Sequence, residues 1–246
     1  MKQAGYAFAL VAALVALSTL GQEELRPAEL GAGLAQLLSA YAPVELYHQR
    51  IALAQLAGGT EPDPGAALEA LKKAEELLSS LGEALSGDPS WEGTYQAVVT
   101  ARNEVGAGMS VLQSALEKGL SALEKDELEE LLGTLGQVRS AVDDVVMAAS
   151  RDADAQGQGW PFQVAFLAQT VLLSPSPLYL NIEEEWAAYL AGGLPPGIPT
   201  EGASALDTLL ELANHVLSEE EENRARGAAQ YLLSLLLAPE GGKGGA

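Results

Sequence analysis

The stretch 91-WEGTYQAVVTARNEVGAGMSVLQSALEKGLSALEKDELEELLGTLGQVRSAVDDVVMAAS-150 decides the fold. Trp91, Tyr95, Val98, Arg102, Val105, Met109, Leu112 and Leu116 alternate in steps of four and three. At 3.6 residues per turn those positions share one stripe, so the spacing predicts a long helix with a heptad seam interrupted by one arginine. Leu128, Leu131, Leu135, Val138, Val142, Val145 and Ala149 form a second seam. Between the two, the step from Leu123 to Leu128 breaks the phase. Asp126, with Glu129 three residues on, reads as a helix cap with its reciprocal partner. Lys118 and Lys125, the ends of a repeated Ser-Ala-Leu-Glu-Lys, suit the C-terminus of the preceding helix. The stretch is therefore expected to form two antiparallel helices turning near Lys125-Asp126. One unbroken helix is the alternative, since neither Gly nor Pro stands at that turn.

Arg102 falls within the first seam, where a charge is costly unless paired. In a hairpin turning near residue 125, the opposite segment contains Asp143 and Asp144. An Arg102 pair with Asp143 or Asp144 is the expected device for setting register. An arginine snorkelling from the seam edge is the other reading.

Outward from the hairpin, strand signals are nearly absent, and Gly or Pro clusters separate helical stretches. Residues 28–42 and 44–57 read as helices divided by Pro43, and residues 66–85 as an amphipathic helix. Residues 162–173 are apolar nearly all round, which predicts a helix central in a core. Asn181 is expected to cap a short helix through Leu190, and residues 203–217 and 219–238 to form a final pair. The fold class is all-α: a multi-helix bundle of seven to nine helices with a long antiparallel, heptad-patterned hairpin at 91–150. Residues 22–238 read as a single helical domain, with a subdivision near 151–160 as the alternative, and residues 239–246 as a disordered tail.

The first 21 residues carry an address. Lys2 is followed by an apolar run from Ala7 to Leu17, then by small residues Ser18 to Gly21. That order is the order of a secretory signal peptide. A membrane anchor formed by residues 4–20 is the alternative, although the run is short for a spanning helix. The expected location is extracytoplasmic, periplasmic or secreted. The chain has no cysteine, so its fold rests on packing without disulfides.

A net charge of −21 opposes nucleic acid, whose phosphates need Lys and Arg, and anionic membrane surfaces for the same reason. A membrane partner is expected only if the N-terminal segment is retained. The absence of cysteine removes thiol nucleophiles and c-type haem attachment. No nucleophile elbow, phosphate loop, dinucleotide fingerprint or His-Glu-x-x-His motif occurs. Glu211, His215 and Glu219 lie four apart, a spacing able to bind a metal, but their stripe is opposite the apolar face and reads as solvated. His48 reads as a core or surface residue. Asp152, Asp154 and Gln156, followed by Gly157, resemble the start of a calcium loop. The bidentate carboxylate that such a loop needs is missing, as its twelfth position is Gln163.

These readings lead to an exported, acidic, non-enzymatic interaction or scaffold module, with another protein as partner and no cofactor. The alternative is an extracytoplasmic module binding a small ligand or calcium. A third class, an enzyme using carboxylates and tyrosines, requires a buried acid pair facing a cleft.

Overall fold

In a computed structural model of the protein, residues 25–57, 64–196 and 198–238 are described. The expected leader, its alternative as an anchor, and the expected tail at 239–246 lie outside them. Among the described residues there are eight α-helices and no strand: α1 (Pro27–Ala57), α2 (Pro64–Leu85), α3 (Glu92–Lys118), α4 (Lys125–Ala155), α5 (Gly159–Leu173), α6 (Glu184–Gly192), α7 (Thr200–Glu211) and α8 (Glu219–Leu236). The all-α bundle is as the periodicity requires. Among these helices, none is long and apolar enough to cross a membrane.

The chain divides into two compact units. One contains residues 40–152 and the other residues 25–39 and 153–238 of the described chain. One division falls at Asp152–Ala153, within the polar stretch 151–160; the other falls inside α1. Pro43 does not separate two helices, contrary to the sequence reading, for α1 runs through it. Proline lacks the N–H that would bond the carbonyl four residues back. That carbonyl belongs to Ser39, the last residue α1 contributes to the C-terminal unit.

In the first unit the expected hairpin is present, but its turn and its seam both differ from expectation. α3 ends at Gly119, whose φ of 79° lies in the left-handed region that suits glycine, and whose N–H donates to Ala115 O at 2.9 Å. A single 3-10 turn, Leu120–Ala122, then leads to α4. The acid that reaches back is Glu127, which accepts from the backbone N–H of Glu124 at 3.1 Å and pairs with Lys118 across the turn. Asp126 and Glu129 do not form the cap.

The buried positions of α3 are Thr94, Val98, Ala101, Val105, Gly108, Leu112 and Ala115. Val98, Val105 and Leu112 belong to the expected seam. Trp91, just ahead of the helix, belongs to it too and is buried; the remaining members, Tyr95, Arg102, Met109 and Leu116, each lie one residue beyond a small buried one. Close packing selects the small set. A Cβ on Gly108 would stand 2.9 Å from Val138 Cγ2 and 3.2 Å from Leu71 Cδ1, so α3 is held tightly against both α4 and α2. Leu71 lies beside Gly108, and a Cβ on Gly82 would lie 3.5 Å from Val98, so α2 and α3 run antiparallel. The second seam is buried from Leu131 through Ala149, with Leu128 partly exposed at its end. The C-terminal part of α1 meets α4 in the parallel sense: Tyr41 O–H reaches Leu135 O, and Arg139 reaches Glu45, both at an offset of 94 residues.

In the second unit, α5 is the centre, as its all-round apolarity predicts. Trp160, Phe162, Val164, Ala165, Leu167, Ala168 and Val171 are all buried. Gly31 lies where α1 crosses α5: a Cβ there would collide with the Phe162 carbonyl. α8 packs on α5 and α7. α4 ends in the expected polar stretch through a two-bond terminus, with Gly157 at φ 69° donating to Asp154 O and Gln158 donating to Ala153 O.

Two boundaries differ from the sequence reading. α7 stops at Glu211 rather than continuing to 217, because Asn214 takes φ 66° and bonds elsewhere. Its amide donates to Ile182 O at 2.8 Å and accepts from Ile182 N at 3.1 Å. With Leu217 N–H donating to Leu178 O, these bonds hold the extended segment 178–182 against 214–217. Asn181 lies in that extended segment and caps no helix; α6 begins three residues later.

Candidate functional site

The residues nominated from sequence are distributed among structural duties. Arg102 is exposed and forms no ion pair with Asp143 or Asp144, both also exposed. Asp143 instead faces Arg139 one turn back, at 3.8 Å. The correction follows from the seam: with Ala101 and Gly108 inward, Arg102 turns to the edge.

Asp152, Asp154 and Gln156 do not form a calcium loop. Asp152 and Asp154 occupy the last turn of α4, and residues two apart diverge by about 200° around a helix. Each has its own partner. Asp152 Oδ2 accepts from the backbone N–H and the hydroxyl of Thr94, both at 2.7 Å. Thr94 N–H is one of the donors left open in the first turn of α3, and its N-cap residue, Trp91, supplies no side-chain bond. Asp152 therefore caps α3 from a distance of 58 residues. Gly93 makes room: a Cβ there would lie 2.9 Å from the carboxylate. Asp154 Oδ1 accepts from Tyr189 O–H at 3.1 Å, and burial together with that carboxylate pushes the Tyr189 phenol up. Gln156 is exposed in the turn. Among the described residues, no group of three or more His, Asp or Glu is placed to hold a metal.

The Glu211–His215–Glu219 stripe does not exist, since its helix ends at Glu211. Glu211 meets Arg224 at 3.6 Å and His215 meets Glu221 at 3.5 Å. His48 lies half-buried on α1.

Sequence reasoning missed two arginines. Arg226 donates to the carbonyls of Val171, Leu172 and Ser174 at 2.8–3.1 Å, and it closes the C-terminus of α5. Glu222 holds it with bonds of 2.9–3.0 Å and also accepts from Ser176 O–H. Those bonds, from Ser176 first and Arg226 next, hold the Glu222 carboxyl below its ordinary value. Arg26 repeats the arrangement at the end of α8: Glu29 orients it, and it donates to Leu237 O and Ala238 O. A cation at a helix C-terminus also answers the partial negative charge there. Only their spacing to an acid, three and four residues, was available as a signal.

The nearest approach to an acid pair is on α1 and α4. Glu45 Oε1 accepts from Arg139 at 2.9 Å and from Gln49 at 2.7 Å. Asp143 lies on the far side of Arg139, and burial pushes its carboxyl up despite that guanidinium. Tyr41 is buried beside them, its phenol pushed well up by burial and then by Glu45. The guanidinium stands between the two acids, so they share no proton, and the cluster ties α1 to α4.

What remains without an internal duty is a surface. The outward positions of α3 run Gln96, Thr100, Asn103, Ala107, Ser110 and Ser114, with Val99 and Gln113 alongside; all eight are exposed and none is charged, and the half-buried Glu104 flanks them on one side. Glu92 and Glu117 close the two ends. Tyr95 and Met109, half-buried, and Leu116, 47% exposed, form one edge with Arg102. The exposed positions of α2 are Ala66, Glu69, Lys72, Lys73, Glu76 and Glu83, all but one charged. A solvated helix face ordinarily resembles that of α2. No protein-family model, curated protein or solved structure matches this chain.

Proposed function

We propose that this chain is an exported, non-enzymatic protein-interaction module whose working surface is helical. The observation that carries the reading is the outer face of α3, where about three heptads of exposed positions carry no charge in a chain of net charge −21. Uncharged small residues lower the desolvation cost of contact and let another backbone approach closely. The polar groups that a catalytic reading would use are engaged in capping helices or in joining α1 to α4. Acidity favours solubility and a protein partner over nucleic acid or an anionic membrane. The charged, apolar and small order of residues 1–21 supports an extracytoplasmic location.

The test is a photo-crosslinking amino acid at Ser110 in the full chain, expressed in its native host, with the same label at Glu76 on α2 as control. The expected result is a discrete covalent protein adduct at Ser110 and none at Glu76. Absence of any adduct at Ser110 sinks the reading. Mass analysis of the native protein checks the location, since removal of about 21 residues is expected.

A further inference from the structure

We draw no further inference here: the strongest candidate, the exposed Tyr179–Val216 pair on the surface of the extended segment 178–182, carries nothing because nothing in the structure shows what covers it.

Discussion

At the residue scale, arginines separate by what their guanidinium touches. Arg102 occupies a heptad position yet faces solvent at the seam edge, without a partner among the described residues. Arg102→Leu is therefore expected to change unfolding free energy by no more than about 0.5 kcal/mol, as read from urea denaturation. A buried Arg102–Asp pair would require several times that. Arg226 is the opposite case, with three backbone acceptors at the end of α5 and one carboxylate beside it. Hydrogen bonds to a charged group each carry more than neutral ones. Arg226→Ala is expected to cost about 2–3 kcal/mol in the same assay, and Arg226→Lys to recover only part, since an ammonium cannot span that fork. Heptad spacing left Arg102 two readings, a buried pair and a place at the seam edge, and the structure has the second. The role of Arg226 has no local signature, since its backbone acceptors lie 52–55 residues away.

At the element scale, α3 shows why a heptad pattern identifies a helix better than its buried face. Two adjoining heptad sets run along it. One contains Tyr95, Met109 and Leu116; the other contains Thr94, Ala101, Gly108 and Ala115. Hydrophobicity favours the first set, and helix-to-helix distance favours the second. The distance prevails because α2 and α4 both press on Gly108. The same hairpin explains Asp152. Its side chain supplies the cap that Trp91 lacks at the start of α3. Asp152→Ala is expected to lower stability by about 1–2 kcal/mol, the ordinary value of an N-cap. Hydrogen exchange is expected to show faster exchange of the first turn of α3 and little change at the middle of the helix. A cap 58 residues away in sequence has no local signature. The turn at Gly119 did have one, a glycine ahead of the phase slip.

At the scale of the whole molecule, acidity sets how stability responds to pH. Glu127, Glu221 and Glu222 are each held below the ordinary value of 4.5: Glu127 by its bond from Lys118, Glu221 by Ser218 and Glu222 by Ser176. A carboxyl whose folded pKa lies below its unfolded one stabilises fully above the unfolded value, and that contribution is lost as pH falls through the folded value. Asp143, raised by burial above its ordinary 3.8, acts in the opposite sense and favours the folded state as it takes up a proton. Melting temperature is expected to be level at neutral pH and to fall progressively below about 4.5. Glu222→Gln is expected to lower stability at neutral pH and to make the acid limb shallower. An acid limb unchanged by Glu222→Gln would remove that group from the account.

The sequence by itself determined the helical class, the number and approximate extent of most helices, the 91–150 hairpin and the central place of α5. Those features follow from periodicity, composition and breakers, all local along the chain. Only the tertiary structure decided which heptad set of α3 is buried, where Asp152 and Arg226 bond, that α1 passes through Pro43, and that Asn214 ends α7. Each depends on a neighbour distant in sequence: a helix pressing on a glycine, an open N–H, a helix end whose carbonyls lack donors, or an extended segment in need of a bond. The charge-free face of α3 belongs to the second class. Its residues are plain in the sequence, but which of them face outward follows only from knowing which small residues face in.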